Sequence, residues 1–433
     1  MIGQNDDRRI RQLIETAAQA SASGRAQEAD RLVRQAEAES PRHPLVLNEI
    51  ARRLLMSGDA AGAHGLLAQA VSQDPSHASI WLNLAAALRG LKRVDEEMAA
   101  IDKVLSLEPR NLRAMLQKAS LQEIQGKPRA AAMTYRYVLQ SVPSGSLPPQ
   151  SLRPVFQHAL QFVAANDREL EQLLESRLKS LRERHKAEPL ERFDRCLETL
   201  LRKKPVYRPQ PSFMYFPRLP AIEFYDRSEF PWLDSIEAAT DDIRSELVNV
   251  LQEGPAALMP YVDIPAGMPL DQWRELNQSR RWGVYYLWQE GVAIPEHIAR
   301  FPRTVAALEA WPRCDVPGCS PTAVFSILDA KTRIPAHTGV SNTRLIVHLP
   351  LIVPPGCGFR VGAERREWDP GKAFVFDDTF EHEAWNDSDV PRAVLILDIW
   401  SPHVSLAERD MVRQVTADVG EFYGTGSYHE GGL

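Results

Sequence analysis

Two stretches near the C-terminus decide the fold of this chain: HTGVSNTRLIVHL at residues 337–349 and FDDTFEHE at residues 376–383. Arg392 and the apolar run AVLILDIW at residues 393–400 follow them. β-Branched and other apolar residues dominate the runs between polar turns, which is typical of strands. Short strands separated by turns favour a closed or double-sheet β fold. We therefore predict a double-stranded β-helix of the jelly-roll or cupin-like kind.

The sequence before and between these stretches extends the prediction over the C-terminal half. An amphipathic pattern at 235–252 indicates one helix, and a second helix is predicted at 302–311. Proline–glycine turns separate further β-rich runs. The predicted strands are 279–287, 323–327, 343–353, 358–361, 373–376 and 393–400.

Two histidines, His337 and His382, stand out because each adjoins a predicted strand. His337 follows the Pro335-Ala336 turn and opens a long strand, whereas His382 follows the strand 373–376 and a polar turn. We expect strands from opposite sides of the barrel to aim both imidazoles at one point. Imidazoles bind iron(II), and the guanidinium of Arg392 can pair with a carboxylate through two hydrogen bonds. Iron(II) oxygenases that use 2-oxoglutarate need this set of groups.

The acid that usually completes such an iron site is missing. The usual pattern is His-x-Asp/Glu followed by a distant histidine, and the acid position after His337 holds Gly339. Losing this anionic ligand lowers the affinity for the metal and opens a coordination position on it.

The N-terminal third repeats itself every 34 residues. Several registers agree, and the pattern resembles the tetratricopeptide repeat over residues 10–143 in about four units. The recurring positions are Pro41, Pro75, Pro109 and Pro143; Ala17, Ala51, Ala85 and Ala119; Ala29, Ala63, Glu97 and Ala131; Ala36, Ala70, Val104 and Val138; and Gly24, Gly58, Lys92 and Gly126. Small residues let paired helices approach closely, and glycine and proline separate the helices. We predict an all-α solenoid whose concave groove binds a peptide or another part of the same protein.

Proline density marks the boundary between the two halves. Helical patterns continue after the repeats, until prolines accumulate among aromatic residues between 203 and 220 and end the helical structure. The predicted domains are tetratricopeptide repeats at 1–145, a helical cap or linker at 146–205, the β domain at 206–405 and a C-terminal tail at 406–433.

Composition excludes several classes of protein. The formal net charge of −6 argues against a nucleic-acid partner, and the polar N-terminus lacks the apolar core of a signal peptide. No apolar run reaches the length of about 18 residues that spans a membrane. The four cysteines are too few for a disulfide framework, and we expect reduced thiols, although Cys314 and Cys319 could meet across a turn. We predict a cytoplasmic protein with no nucleic-acid or membrane partner.

From about residue 215 to residue 402 the chain closely resembles the aspartyl/asparaginyl β-hydroxylase family. The matching stretches are HTG at 337–339, RL at 344–345, VHL at 347–349, FDD-x-FEHE at 376–383, D-x-W at 398–400, LWQ-x-G at 287–291 and FSI at 325–327. The resemblance implies an iron(II) and 2-oxoglutarate oxygenase in which glycine replaces the acid, so that two histidines and water hold the iron. Animal members also carry tetratricopeptide-like repeats before the oxygenase, together with a membrane anchor that this sequence does not show.

The resemblance also assigns roles to individual residues. It implies His337 and His382 as iron ligands and Asp378 as the acceptor that orients metal-bound water. It implies Arg392, His348 and Ser326 as contacts of 2-oxoglutarate, with Arg392 at the far carboxylate. The candidates on the substrate side are Arg344, Trp288 and Gln289, and core packing is an equal alternative for Trp288. Family members often have a second arginine two residues after Arg344, where this chain has Ile346.

The leading hypothesis is a dioxygenase that hydroxylates the β-carbon of an aspartyl or asparaginyl residue, using iron(II), 2-oxoglutarate and O2 and releasing succinate and CO2. The repeats would help to present this peptide or protein substrate. The alternatives are hydroxylation of a lipid acyl chain or a small molecule, halogenation at the coordination position that Gly339 opens, and a non-catalytic repeat scaffold. The intact His337, His382 and Arg392 argue against the scaffold.

Overall fold

The computed structural model describes residues 4–142 and 150–423, and the chain divides into two compact units, Met1–Leu190 and Glu191–Leu433. Each unit has its own apolar cores. Pro143, the last member of the predicted proline register, lies outside the described residues.

In its described residues the first unit is helical throughout. Its helices are α1 (Gln4–Ala22), α2 (Ala26–Glu39), α3 (Pro44–Met56), α4 (Ala60–Gln73), α5 (Ala78–Gly90), α6 (Val94–Leu107), α7 (Leu112–Ile124), α8 (Pro128–Gln140) and α9 (Arg153–Arg184). Up to α8, each odd-numbered helix packs on the even-numbered helix that follows it. This succession of helix pairs is the arrangement that the 34-residue registers predict.

Small side chains hold the helix pairs together. Ala51, Ala85 and Ala119, which share one register, are fully buried. The exception in another register, Glu97, is also buried, and its carboxylate lies 2.7 Å from the guanidinium of Arg89. A buried carboxylate is tolerated here because it is paired with a cation.

The turn inside each helix pair needs a left-handed residue. Gly24, Gly58 and Gly126 have φ angles of 76°, 88° and 69°, and Lys92 adopts a φ of 59° in the unit that lacks the glycine. Each of these four residues donates its backbone N–H to the carbonyl three residues before it, which closes the first helix of the pair.

Exchanging residues at this turn position is expected to change stability in opposite directions. Gly58→Ala should lower the free energy of unfolding by about 1 kcal/mol, because an L-residue is strained in the left-handed region. Lys92→Gly should raise it by roughly 0.5 kcal/mol, because removing that strain outweighs the added entropy of the unfolded chain. Urea unfolding followed by helical circular dichroism measures both changes. A loss of stability in Lys92→Gly would contradict the assignment of strain.

The second unit combines helices with antiparallel strands. Its helices are α10 (Glu191–Leu200), α11 (Leu233–Ala238), α12 (Thr240–Leu251), α13 (Pro295–Ile298), α14 (Pro302–Ala307) and α15 (Leu406–Tyr423). Its strands are β1 (Met259–Pro260), β2 (Trp282–Gln289), β3 (Val292–Ala293), β4 (Ala323–Leu328), β5 (Thr332–His337), β6 (Arg344–Ile352), β7 (Cys357–Val361), β8 (Glu364–Arg366), β9 (Phe374–Phe376), β10 (His382–Asn386) and β11 (Arg392–Trp400).

The strands form two antiparallel sheets. The larger sheet has the order β1-β2-β4-β11-β6-β9, with β3 paired to β2, and the smaller sheet has the order β5-β10-β7-β8. The strands of the larger sheet include long apolar runs, such as β6 and β11, which pair along almost their whole length. An all-α repeat unit followed by an antiparallel β domain confirms the predicted multidomain α + β class.

Side chains alternate between the two faces of the larger sheet. On β6, Leu345 and Val347 belong to an apolar cluster shared with α11 and α12, whereas Ile346 and His348 point to the other face. Ile346 packs in a second cluster that includes Phe359 from the smaller sheet. The two sheets therefore face each other across an aromatic and aliphatic interior. The narrower identification as a double-stranded β-helix stays a prediction.

Some predicted elements differ from those in the structure. The predicted helix at 235–252 is broken at Ala239, because α11 ends at Ala238 and α12 begins at Thr240. The predicted tail contains α15, which buries Val412 and Thr416. Strands β5, β8 and β10 were not predicted, because polar residues interrupt their apolar pattern. No helix in the described ranges has both the length and the apolar character needed to cross a bilayer.

A buried carboxyl group precedes β10. Asp377 is 1% exposed, and its Oδ1 accepts hydrogen bonds from the backbone N–H (2.9 Å) and the hydroxyl (2.6 Å) of Thr379. Burial raises the pKa of Asp377 to about 6, against an ordinary value of 3.8, because the charged form loses its hydration.

The raised pKa of Asp377 predicts a pH dependence of stability. The folded state holds this proton more tightly than the unfolded state, so the contribution is present below pH 3.8 and is lost as the pH rises to about 6. Relative to Asp377→Asn, the parent protein should lose about 2 kcal/mol over this window. Unfolding titrations across the window measure the difference, and the exposed Asp389→Asn is the control. Parallel pH profiles for the parent and Asp377→Asn would contradict the assignment.

Candidate active site

His337 and His382 meet at the paired ends of two neighbouring strands. His337 is the last residue of β5, His382 is the first residue of β10, and the two residues are register partners. Their ring centroids lie 4.0 Å apart. The expectation that they come from opposite sides of a barrel, with His337 opening a strand, is wrong: both lie in the smaller sheet, and His337 ends its strand.

Backbone carbonyls orient both imidazoles. Nδ1 of His337 lies 2.8 Å from the carbonyl oxygen of Pro335, and Nδ1 of His382 lies 3.0 Å from that of Phe380. A carbonyl only accepts, so each Nδ1 carries a hydrogen, and Nε2 is the nitrogen that a neutral imidazole would offer to a metal. Burial and the adjacent His337 imidazole hold the pKa of His382 well below its usual range. A neutral imidazole whose Nδ1–H is held by a backbone carbonyl is the form that binds metals.

Gly339 is required because Asp378 occupies the adjoining space. A Cβ atom added to Gly339 would overlap the carboxyl group of Asp378. The backbone also joins the two residues, since the Gly339 N–H donates to the Asp378 carbonyl at 2.7 Å. The carboxylate beside the histidine pair therefore comes from position 378, and it fills the space that an acid at position 339 would need.

Arg344 lies between two buried carboxylates. Its guanidinium is 3.3 Å from Oδ2 of Asp378 and 3.5 Å from Oδ2 of Asp398. Asp398 also accepts hydrogen bonds from the Ser320 hydroxyl at 2.7 Å and the Thr322 N–H at 3.0 Å. These contacts place the guanidinium of Arg344 against both carboxyl groups.

Arg392 presents the opposite situation. It is 1% exposed, and among the described residues no carboxylate pairs with it. Its Nε is buried without a hydrogen-bond partner, and its Nη1 lies 3.5 Å from the Ser326 hydroxyl. Burial lowers the pKa of Arg392 to about 9, which leaves the guanidinium charged at neutral pH. A buried charge without a partner is costly, so this site is suited to an anionic ligand.

Aromatic rings connect the arginine to the histidine pair. The Trp282 indole N–H donates to the Ser326 hydroxyl at 3.1 Å, and the ring centroid of Trp282 lies 6.4 Å from that of His337. On another side, the Phe359 ring lies 6.2 Å from His382 and 5.0 Å from His348. The predicted metal ligands and the predicted carboxylate contacts therefore share one interior.

His348 lies in this interior as a neutral side chain. Its Nδ1 is buried without a hydrogen-bond partner among the described residues. Burial, and then the positive charge of Arg392, hold the pKa of His348 well below its usual range. A neutral imidazole with an unsatisfied nitrogen is suited to a polar ligand atom.

The structure does not bring all the predicted site residues together. Trp288 packs in the apolar cluster on the other face of the larger sheet, with its ring centroid 5.9 Å from that of Trp311. Gln289 ends β2 where the chain turns into β3. Trp282 and Trp368 were not singled out as site residues. The best sequence signal for either residue was the position of Trp368 directly before the Asp369-Pro370-Gly371 turn, which places its aromatic ring at the edge of the interior.

The donor set agrees with a two-histidine metal site. In the described ranges, no three histidine, cysteine, aspartate or glutamate side chains form a metal-binding cluster. An ion held by His337 and His382 would therefore keep coordination positions for ligands from outside the chain. Imidazole ligands fit iron(II), and the unpaired Arg392 fits a cosubstrate that carries a carboxylate.

Sequence profiles of two families match the chain. The aspartyl/asparaginyl beta-hydroxylase family matches residues 237–402, and the tetratricopeptide repeat matches residues 54–119. The first match covers the core of the two-sheet unit, including all the residues of the interior described above. The second match covers the middle of the helical unit.

Individual proteins agree with these matches. An ornithine lipid ester-linked acyl 2-hydroxylase of Rhizobium tropici is 36% identical over 181 residues, which are 41% of this chain and 60% of that protein. The human aspartyl/asparaginyl beta-hydroxylase is 31% identical over 185 residues, which are 41% of this chain and 24% of that protein. The human aspartate beta-hydroxylase domain-containing protein 2 is 29% identical over 205 residues, 53% of its length.

The chain thus spans less than two thirds of the length of each of these relatives. The aspartyl/asparaginyl beta-hydroxylase profile falls within the two-sheet unit, and its range includes His337, His382 and Arg392. The C-terminal unit of this chain is thus similar to the aspartyl/asparaginyl β-hydroxylase family, and tetratricopeptide repeats precede it.

Proposed function

We propose that the C-terminal unit is an iron(II)- and 2-oxoglutarate-dependent hydroxylase. The observation that carries the proposal is the buried Arg392, a cation without a carboxylate partner in the described residues, which shares one interior with two metal-ready imidazoles. 2-Oxoglutarate has the matching chemistry, because its oxo acid end chelates a metal and its far carboxylate pairs with a guanidinium.

Each side chain then has a defined task. His337 and His382 would hold iron(II) through Nε2. Arg392 and Ser326 would bind the far carboxylate, and His348 would offer an uncharged nitrogen to the same ligand. With O2 and 2-oxoglutarate, bound iron supplies the oxidation of an unactivated C–H bond, and succinate and CO2 are the coproducts. The Phe359, Phe376 and Trp282 rings exclude water from this interior.

Asp378 has two tasks in this account. Its carboxyl group lies 3.3 Å from Arg344 and would accept a hydrogen bond from water on a bound metal. It also fills the space next to Gly339 that an acidic side chain at position 339 would need, so that a carboxyl group remains near the histidine pair. The occupied space favours hydroxylation over halogenation. The site residues also argue against a purely non-catalytic scaffold, because a scaffold has no need for a buried unpaired arginine.

The metal and cosubstrate assignment predicts a specific loss of function. Under anaerobic conditions, iron(II) and 2-oxoglutarate should produce a visible charge-transfer band, and O2 should then release succinate. His382→Ala should lose both signals, because one of two protein ligands is removed. The exposed His403→Ala should retain both signals. If the parent protein binds no iron(II), the enzyme assignment is wrong.

Replacing Arg392 is expected to preserve the stability of the ligand-free protein and to abolish its stabilisation by 2-oxoglutarate. Arg392→Met should leave the ligand-free protein at least as stable as the parent, because a buried unpaired charge is replaced by an apolar side chain of similar length. The same variant should lose the rise in unfolding temperature that 2-oxoglutarate gives the parent. Thermal unfolding with and without 2-oxoglutarate measures both effects. If 2-oxoglutarate stabilises Arg392→Met as strongly as the parent, this arginine is not the carboxylate site.

For the substrate, we propose an aspartyl or asparaginyl residue of a polypeptide, because tetratricopeptide repeats commonly bind peptides. A second candidate is an acyl chain, which the relative from Rhizobium tropici is named for hydroxylating. One observation favours an uncharged reacting group: Arg344 is already engaged by Asp378 and Asp398, and its neighbour on the inner face is the apolar Ile346.

The charge balance predicts a preference that matched peptides can measure. An asparaginyl peptide should stimulate succinate release more than the same peptide with aspartate, because Arg344 already lies against two carboxyl groups and Arg392 is assigned to the cosubstrate. Ile346→Arg should raise the aspartate-to-asparagine ratio of kcat/KM about tenfold, the effect of one charged hydrogen bond. Ile346→Leu is the control variant. Succinate release is also measured with an acyl lipid as the substrate. An unchanged ratio in Ile346→Arg would contradict this account of substrate choice.

A further inference from the structure

Trp368 lies directly on the guanidinium of Arg392. The centre of the guanidinium is 4.3 Å from the centroid of the indole ring. Trp368 is 5% exposed and is itself fixed by stacking on Phe359 at an interplanar angle of 19°. A ring face attracts a cation without using its N–H groups, whereas a carboxylate would occupy two of them. Trp368 therefore stabilises the charge of Arg392 without occupying its N–H groups, of which Nη1 lies 3.5 Å from the carbonyl and hydroxyl oxygens of Ser326 and Nε has no partner in the described residues.

Trp282 acts on the second donor of the same site. The Ser326 hydroxyl oxygen accepts from the Trp282 indole N–H at 3.1 Å and lies 3.5 Å from Nη1 of Arg392. Both neighbours are donors, so the oxygen serves as an acceptor for both and its hydrogen must point elsewhere. In the described part of the chain that hydrogen has no acceptor. It remains available to a carboxylate bound by Arg392.

We propose that Trp368 and Trp282 are positioning residues for the carboxylate of 2-oxoglutarate, an inference that rests on the proposed function. Trp368 keeps Arg392 charged and its donors available, and Trp282 turns the Ser326 hydroxyl towards the ligand. Both tryptophans act through another residue. Together they form a carboxylate site in which all the donors are oriented before the ligand arrives, which lowers the entropy cost of binding.

The environment of Trp282 allows the N–H group to be removed without the ring. Trp282 stacks on Tyr261 with centroids 4.0 Å apart, and it lies 6.1 Å from Trp273. A phenylalanine can retain much of this packing and loses only the donor to Ser326. For Trp368, leucine removes the ring face and phenylalanine keeps a weaker one.

The test is the dissociation constant of 2-oxoglutarate, measured by anaerobic calorimetry on the iron(II)-loaded protein. Trp282→Phe should raise the constant about tenfold, the effect of losing one well-placed hydrogen bond. Trp368→Leu should raise it at least as much, and Trp368→Phe by less. Trp232→Phe is the control. The indole N–H of Trp232, like that of Trp368, is buried without a hydrogen-bond partner within the described ranges, but the Trp232 ring packs against the apolar cluster with α11 and α12. Its constant should equal that of the parent.

A double variant separates positioning from a general loss of structure. If Trp282 acts through Ser326, then Trp282→Phe should have no further effect on the dissociation constant in a Ser326→Ala background. An unchanged constant in Trp282→Phe, or an equal added loss in the Ser326→Ala background, would overturn the inference and leave the proposed function standing. A parent protein that fails to bind 2-oxoglutarate would overturn the proposed function itself.

Discussion

The buried charge of Arg392 is the constraint on which the rest of the β domain depends. The guanidinium lies between two sheets, with an indole face on it, a serine hydroxyl beside it and no carboxylate partner among the described residues. Folding bears this cost without an ion pair, so the binding of an anion can recover it. Sites that store free energy in this way are typical of functional positions and atypical of positions selected for stability alone.

The other end of the interior is arranged so that it adds little net charge. Burial lowers the pKa of His382, both Nδ1 hydrogens are held by backbone carbonyls, and Arg344 lies against Asp378 and Asp398. A divalent metal bound at the histidines and a dianionic cosubstrate at Arg392 would offset each other. Gly339 and Asp378 show how the missing acid is accommodated, because the carboxylate occupies the space that a side chain at 339 would take.

The sequence predicted most of the fold, because its registers are physical requirements. Ala51, Ala85 and Ala119 recur where helices touch, and even Lys92 takes the left-handed conformation of the glycine it replaces. The long apolar strands β6 and β11 were equally visible. The pairing of β5 with β10 was not, because Pro335 and polar residues hide the pattern of β5. The roles of His337, His382 and Arg392 came from resemblance, and the contacts of Trp368 depend on packing that no local pattern shows.

The most direct test of the central claim is a crystal structure of the protein grown anaerobically with iron(II) and 2-oxoglutarate. The account predicts a carboxylate hydrogen-bonded to Arg392 and Ser326, with the metal on Nε2 of His337 and His382. The account would be contradicted by an Arg392 that is paired with a carboxylate of the protein, or by 2-oxoglutarate bound away from this interior.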